Sequence, residues 1–301
     1  MRVAVTGAAG RLGRALVAAL ADSPYTGPGG PIAWTRSTWD LDDPGTIGAR
    51  LRADRPETVV HAAAWTDVDG CAREPELARR RNAEATAVLA RACADSGLDL
   101  LVVSTNEVFD GARTDGQPYG PDDLASPVNA YGASKLDGER AAAAAYSGAP
   151  GRLGIARTSW LYGPPGNDFP DKILAAADRA RDAGEGLRVV ADEWGSPTYS
   201  ADLAEAIVEL IGDGDVGGVH HLVNEGVTTR AGWARELFRQ AGIEVTIEEV
   251  PASTWQRAST PPLRAVLRPT PLPSGEPMRP WTEAMADYLP GLRRRRSMVG
   301  R

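Results

Sequence analysis

Tyr131 and Lys135 stand four residues apart in the segment YGASK, at the start of a predicted helix. Positions i and i+4 share one face of a helix, so the phenol and the ammonium would point the same way. A neighbouring cation favours the phenolate, so Lys135 is expected to depress the pKa of Tyr131. Such a tyrosine exchanges a proton with a carbonyl or alcohol oxygen. The spacing alone also fits an ordinary amphipathic helix start, so this chemistry needs a hydride carrier and a third polar group elsewhere.

A glycine-rich loop suits the hydride carrier. Gly7, Gly10 and Gly13 follow a short β-branched run and precede a helical pattern. Glycines at this spacing permit a tight turn and let the backbone approach a pyrophosphate at the helix N-terminus. The loop therefore predicts a dinucleotide site between the first strand and the first helix.

Further residues are predicted to line this cofactor. Arg36 follows the second predicted strand, where an NAD enzyme often carries an acid, so the sequence favours NADPH, with NADH as the alternative. Arg36 could equally be a solvated surface charge. Asp40 and Leu41 lie where an adenine could bind, and the small residues at 62–64 (Ala62, Ala63 and Ala64) would let the cofactor lie against the backbone.

Thr105 is the candidate third polar group. It ends a predicted buried strand over 100–104, and ligands of open α/β sheets bind beyond the carboxyl ends of strands. Its hydroxyl is therefore expected beside Tyr131, where it would hydrogen-bond a substrate oxygen. The Pro-, Gly- and Asp-rich residues 112–128 are predicted to form a loop over the site.

Alternating strand and helix patterns predict an α/β fold, namely a Rossmann-type doubly wound parallel sheet with a smaller C-terminal α/β substrate-binding cap. Residues 1–160 would form the NAD(P)-binding domain, with a later segment, about 187–224, interleaved. Residues 161–301 would form mainly the cap. One long helix is expected over 73–96 and a last helix over 281–289, followed by an arginine cluster at 293–296 that reads as a solvated tail.

Composition narrows the class of partner. The 301-residue chain is 43% hydrophobic and 24% charged with a net charge of −7, which argues against nucleic acid as a partner. No apolar run suits a membrane span, and strand-like residues at the N-terminus leave no room for a signal peptide. Cys71, Cys93 and the histidines have no metal-ligand spacing, so no metal site is predicted. A cytoplasmic protein is expected.

Along nearly its whole length the chain resembles the extended short-chain dehydrogenase/reductases, within the dTDP-4-dehydrorhamnose reductase family. The motifs that carry this resemblance are residues 7–13 (GAAGRLG), 61–69 (HAAAWTDVD), 104–105 (ST), 108–111 (VFDG), 131–135 (YGASK), 157–163 (RTSWLYG), 195–199 (GSPTY) and 279–281 (RPW). The GSPTY and RTSW motifs are more specific to this branch than the glycine loop.

The resemblance implies NAD(P)H-dependent reduction of the 4-keto group of a nucleotide-linked 4-keto-6-deoxyhexose, the carrier being dTDP. It implies that Tyr131 donates the proton, Lys135 holds the nicotinamide ribose and Thr105 hydrogen-bonds the reacting oxygen. Trp160 would lie against the sugar. Arg11, Leu12, Asp40, Leu41 and residues 62–64 would line the cofactor. A homodimer is expected by analogy only.

Two departures from the family concern the substrate side. Where the family has Ser-Thr-Asp-Tyr, this chain has Asn106 and Glu107 after Thr105. Asn106 removes a charge beside the sugar, and Glu107 adds a carboxylate that could take a proton from the sugar, bind a sugar hydroxyl or face solvent. The second departure is Leu267-Arg268, where the family tends to have Leu-Asp. Both bear on the identity of the sugar.

Two alternatives to a ketoreductase therefore stay open. One is a nucleotide-sugar epimerase or dehydratase that uses Glu107 as a base with tightly held NAD. The other is a non-catalytic NADP-binding regulatory subunit, because the family includes the β subunit of methionine adenosyltransferase.

Overall fold

The structure is a computed structural model that describes residues 1–214 and 216–299. The strands within these residues are β1 (Val3–Thr6), β2 (Ile32–Trp34), β3 (Thr58–His61), β4 (Asp99–Thr105), β5 (Leu153–Thr158), β6 (Leu161–Tyr162), β7 (Leu187–Val190), β8 (Trp194–Gly195), β9 (Thr198–Tyr199), β10 (Gly218–His221), β11 (Thr228–Thr229) and β12 (Ile247–Val250).

The helices are α1 (Arg11–Asp22), α2 (Ile47–Asp54), α3 (Val68–Arg73), α4 (Pro75–Ala78), α5 (Ala85–Asp95), α6 (Ala130–Tyr146), α7 (Phe169–Ala183), α8 (Ser200–Asp213), α9 (Arg230–Ala241) and α10 (Trp281–Val299). Single 3₁₀ turns lie at Pro44–Thr46, Asn106–Val108 and Ala252–Thr254.

The central sheet has the strand order β10-β5-β4-β3-β1-β2, and every neighbouring pair is parallel. Helices α1 and α8 pack on one face of this sheet, through Leu12, Leu16 and Ile207, while α2, α5 and α6 cover the other. Both faces are thus buried, which is why β1 and β3 are buried at every position and carry adjacent apolar residues rather than an alternating pattern. The predicted doubly wound fold class is confirmed.

The chain reverses direction across the sheet at β1, because β2 lies on one side of it and β3 on the other. Such a switch point opens a crevice beyond the carboxyl ends of the two strands. Thr6 and His61 end these strands in register, so the glycine loop after β1 faces residues 62–64 after β3.

The cap has its own apolar core. Helices α7, α9 and α10 enclose Leu174, Trp233, Phe238 and Tyr288, and the short parallel pair β7–β12 lies beside them. Segment 187–224 is divided between the two layers, since β7 pairs with β12 in the cap whereas β10 pairs with β5 in the central sheet. The boundary of the cap at residue 161 stays a prediction.

The helix expected over 73–96 is observed as a continuous helical run over residues 75–95, but it is not one regular α-helix. Helices α3 and α4 are separated at Glu74, and a π-helical turn over Arg79–Glu84 precedes α5. Periodicity could not reveal this turn, because it adds one residue per turn without breaking the run of helix-forming residues. The turn directs Asn82 inward, where it is buried.

The prediction that the arginine cluster at 293–296 is a solvated tail is wrong. Helix α10 continues past the expected end at residue 289, through Pro290, to Val299. Arg295 donates to the Tyr288 hydroxyl at 2.7 Å, and Arg296 pairs with Asp178 of α7. The Arg295 bond lies within α10, whereas the Arg296 pair fastens this last helix to α7 of the cap.

No helix in the described part of the chain is long and apolar enough to cross a membrane. Cys71 and Cys93 are both buried and free.

Burial of His221 predicts acid sensitivity. The ring lies at 0% exposure near Arg157, and burial lowers its pKa from 6.5 to about 4. Between these values the unfolded chain binds a proton that the folded chain excludes, so stability falls as the pH drops from 6.5 towards 4. Between pH 7 and pH 5 this histidine should cost about 2 kcal/mol. We therefore expect the free energy of unfolding of wild type to fall by about 2 kcal/mol more than that of His221→Phe when the pH is lowered from 7 to 5. Urea unfolding at the two pH values measures both changes.

The adjacent, half-buried His220 provides the control, since its ring already bonds the Gly217 carbonyl. His220→Gln should keep the wild-type difference between pH 7 and pH 5. An equal difference in His221→Phe and wild type would contradict the prediction.

Candidate active site

A cavity of about 410 Å³ lies beyond the carboxyl ends of β1, β3, β4 and β5. A second cavity of about 280 Å³ adjoins it, and Gly7, Gly10, Ala62 and Ala64 line both. Every residue predicted for the site lines one or the other. The first holds Gly7, Gly10, Arg11, Leu12, Gly13, Ala62, Ala64, Thr105, Asn106, Glu107, Tyr131, Lys135 and Trp160; the second adds Arg36, Asp40, Leu41 and Ala63.

The glycine loop has the form that a diphosphate requires. A Cβ on Gly13 would lie 2.1 Å from the Gly7 carbonyl oxygen, and one on Gly7 (φ +64°) would lie 2.9 Å from the backbone of Ala63. Gly10 caps α1 without a side-chain hydrogen bond. The first amides of α1 are thus open to an anion in the cavity, at the positive end of the helix dipole. These residues fit a dinucleotide.

Arg11 lies at the cavity wall, but its guanidinium is engaged by protein carbonyls. Nε donates to Gly163 at 3.1 Å and Nη2 to Gly166 at 2.6 Å. Arg11 therefore fastens the loop after β6 over the glycine loop, and the neighbouring Leu12 is buried.

The second cavity brings two arginines to one aspartate. Arg36 donates to Asp40 at 2.9 Å and to Asp42 at 3.0 Å, and Arg81 donates two hydrogen bonds to Asp42 at 2.6 and 2.7 Å. Arg81 also lies 5.4 Å from the centroid of the Trp65 ring. Asp42 thus holds both guanidinium groups at this end of the cofactor site.

Tyr131, Lys135 and Thr105 meet in the larger cavity. Helix α6 begins at Asn129, whose side chain accepts from the Gly132 amide at 2.8 Å, so Tyr131 lies in the first turn. The Thr105 hydroxyl, which accepts from the Glu107 amide at 3.2 Å, lines the same cavity as the Tyr131 phenol. Lys135 donates from Nζ to the Val103 carbonyl at 2.8 Å. Phenol, hydroxyl and ammonium thus line one wall.

The expectation that Lys135 depresses the pKa of Tyr131 is wrong for this arrangement. Burial raises the pKa of Tyr131 above its ordinary value, and the Glu107 carboxylate adds to the rise. Burial also lowers the pKa of Lys135 to about 8. At 9% exposure, removal from water disfavours the phenolate, so the phenol is a weaker acid than an exposed tyrosine.

Glu107 faces the cavity rather than solvent. Its carboxylate accepts a hydrogen bond from Asn129 Nδ2 at 2.7 Å, and burial raises its pKa. Asn106 is buried, and its amide donates to the Ala265 carbonyl at 3.0 Å. A carboxylate at position 106 could not donate that bond, so the family departure at Asn106 is tied to the loop that carries the second departure at Leu267-Arg268.

Trp160 has a crowded ring at the cavity wall. The Arg230 guanidinium lies 3.6 Å from the ring centroid, Trp233 stacks nearly parallel to it, and Gly195 approaches it so closely that a Cβ there would lie 2.5 Å from a ring carbon. One face that could meet a sugar is thus covered by a cation.

Sequence analysis missed Arg81 and Arg230. Neither belongs to a motif, and each reaches its cavity from an element distant in the chain. The only available signal was that Arg81 stands beside Asn82 and Arg230 directly after the strand-like TT pair. Among the described residues, no group of three or more His, Cys, Asp or Glu side chains could hold a metal ion.

Comparison with known proteins gives matches along nearly the whole chain. Residues 1–294 match the family model described as the RmlD substrate binding domain. The chain is 38% identical to the dTDP-4-dehydrorhamnose reductase of Mycobacterium tuberculosis, over 96% of this chain and 92% of that protein. It is 36% identical to the dTDP-4-keto-6-deoxy-D-glucose reductase of Streptomyces niveus, over 95% and 96%. The crystal structure of the Bacillus anthracis dTDP-4-dehydrorhamnose reductase in complex with NADP superposes with a TM-score of 0.86 at 29% identity, over 96% and 99%.

The two arginines around Asp42 predict the choice of coenzyme. A 2′-phosphate at this end of the site would gain charge-assisted hydrogen bonds that NADH lacks. Arg81→Ala and Arg36→Ala are each expected to raise the Kd for NADPH about 10-fold and to leave the Kd for NADH within about twofold. Quenching of protein fluorescence by each coenzyme measures both constants.

Arg79→Ala is the matched control, because Arg79 lies on the same π-helical turn but pairs with Glu76 and Glu84 outside the cavity. If Arg81→Ala weakened the binding of NADPH and NADH equally, Arg81 would not contact the 2′-phosphate and the prediction would be wrong.

Proposed function

The chain belongs to the dTDP-4-dehydrorhamnose reductase family, and from that premise we propose that it reduces the 4-keto group of a dTDP-linked 4-keto-6-deoxyhexose with NADPH. The predictions of family and of an NAD(P)-dependent oxidoreductase are confirmed. The observation that carries the proposal is the meeting of Tyr131, Thr105 and Lys135 beside a glycine loop that fits a dinucleotide.

The reduced nicotinamide supplies the hydride when the cofactor is bound. Tyr131 supplies the proton to the ketone oxygen, so that the carbonyl becomes a secondary alcohol. The phenol is protonated at neutral pH, as a donor must be, although its raised pKa makes it a weaker acid than an exposed tyrosine. The alkoxide that develops at carbon 4 is a far stronger base than a phenolate, so transfer remains downhill.

Thr105 and Lys135 orient this transfer. The Thr105 hydroxyl, next to the phenol, would donate a second hydrogen bond to the same ketone oxygen and stabilise its developing charge. Lys135 is held by the Val103 carbonyl and keeps two further ammonium donors for the ribose of the nicotinamide. A positive charge near the phenol also stabilises the phenolate left after proton transfer.

The substrate side is proposed to be the wall formed by Asn106, Glu107 and Trp160. Asn106 acts through the Ala265 carbonyl, fixing the loop that borders the cavity. Glu107 accepts from Asn129 and keeps oxygen lone pairs for a sugar hydroxyl.

Epimerisation is the second candidate, because Glu107 faces the cavity with a raised pKa. A carbon next to a ketone is acidic, and a desolvated carboxylate near it could exchange its proton.

A homodimer and a cytoplasmic location, both expected from the sequence, stay predictions; light scattering of the purified chain tests the first.

Tyr131→Phe tests the reductase. Absorbance at 340 nm (a constant of the method) should fall with NADPH and dTDP-4-keto-6-deoxyglucose in wild type. Removal of the proton donor should lower kcat about 10²- to 10⁴-fold, with NADPH still bound.

Tyr146→Phe controls for loss of a buried phenol on the same helix, since its hydroxyl bonds Leu98 away from the cavity. It should turn over normally. Wild type that consumes neither NADPH nor NADH with dTDP-4-keto-6-deoxyglucose or with dTDP-4-dehydrorhamnose would remove the proposal.

Glu107→Gln separates the two candidates. The amide keeps the shape of the side chain and has no basic carboxylate, so a reductase should keep kcat within about 10-fold. Turnover in deuterium oxide, followed by NMR of the sugar, should show no deuterium on ring carbons. Wild-type incorporation that disappears in Glu107→Gln would instead support epimerisation.

A further inference from the structure

Arg230 is a cation that the reaction described above does not use. It is the first residue of α9, and its guanidinium lies over Trp160, 3.6 Å from the ring centroid, and 5.5 Å from that of Phe169. The side chain keeps 25% exposure, and it lines the larger cavity. Packing on two aromatic rings fixes the plane of the guanidinium against the cavity wall.

Its hydrogen-bonding capacity is largely unused by the protein. Nε donates to Glu193 at 3.4 Å, and neither terminal nitrogen donates a hydrogen bond to any of residues 1–214 and 216–299. Each terminal nitrogen carries two N–H donors. Because the guanidinium borders the cavity, these donors are available to a ligand there.

The surrounding charges favour a neutral ligand. Glu193 bonds Arg230, and Arg257 lies 3.9 Å from the same carboxylate. Glu107 lines the same cavity as Arg230 and Tyr131. The charges of Glu107 and Glu193 balance those of Arg230 and Arg257, so these four side chains have no net positive charge to attract a diphosphate. Hydroxyl groups, by contrast, can accept from Arg230 and donate to Glu107.

We propose that Arg230 is a specificity-determining residue that donates hydrogen bonds to the hydroxyl oxygens of the substrate's sugar ring. The guanidinium covers a face of the Trp160 ring on which a sugar could otherwise stack. On this face the sugar is therefore recognised by hydrogen bonds rather than by ring stacking. This inference rests on the proposed function for the identity of the substrate, and Arg230 acts in binding rather than in proton transfer.

Binding of two ligands tests the proposal without turnover. Isothermal titration calorimetry with NADP-loaded protein gives Kd for dTDP, which has no sugar at its diphosphate, and for dTDP-glucose. Arg230→Met is expected to weaken dTDP-glucose about 10- to 100-fold, the loss of a charge-assisted hydrogen bond, and to leave dTDP within about twofold. With the keto substrate, KM should rise by a similar factor while kcat changes little.

Matched variants separate recognition from charge and packing. Arg257→Met removes the neighbouring charge beside Glu193 and should bind dTDP-glucose as wild type does. Arg230→Lys keeps the charge but loses the planar fork, and it should recover only part of the affinity. If Arg230→Met misfolds, the double variant Arg230→Met/Glu193→Gln removes both charges together and is expected to show the same selective loss.

Two results would overturn the proposal. Equal weakening of dTDP and dTDP-glucose in Arg230→Met would place the guanidinium on the diphosphate. Unchanged affinity for both would leave it a packing residue. Failure of the reductase is a separate outcome, since it appears as absent NADPH oxidation in wild type, whatever the calorimetry shows.

Discussion

The close approach of helix α6 to the end of strand β4 is the constraint on which the active site depends. A Cβ at Gly132 would lie 2.0 Å from the Glu107 carbonyl oxygen, so only glycine lets the helix lie this near. Further along, Ser104 donates to Glu139, which also forms a buried ion pair with Arg157 at 2.7 Å. Contacts over two helical turns thus set Tyr131 beside Thr105.

The same helix also positions the cofactor side. A Cβ at Gly138 would lie 2.6 Å from the Asn82 carbonyl oxygen, so the π-helical turn packs directly on α6. Asn82 in turn bonds Ser134 at 3.0 Å and both the amide and the carbonyl of Trp65. The loop that lines the dinucleotide site and the helix that carries the proton donor therefore share one framework, as a hydride transfer between them requires.

Desolvation decides the protonation of the site. The same burial that raises the pKa of Tyr131 lowers the pKa of Lys135 to about 8 and raises that of Glu107. The arrangement is suited to giving a proton at neutral pH rather than to taking one at Tyr131. Cations beyond Glu107, Arg230 foremost, offset part of the cost of its charge.

Much of the fold and of the candidate site could be predicted from the sequence alone. The strand, glycine loop and helix at the N-terminus, the shared face of Tyr131 and Lys135, and the place of Thr105 at a strand end all follow from short-range sterics and periodicity. The tertiary structure alone decided the π-helical turn at Asn82, the docking of Arg296 on Asp178, the raised pKa of Tyr131 and the guanidinium over Trp160. Each of these depends on contacts between segments distant in the chain, whose burial and charge no local pattern encodes.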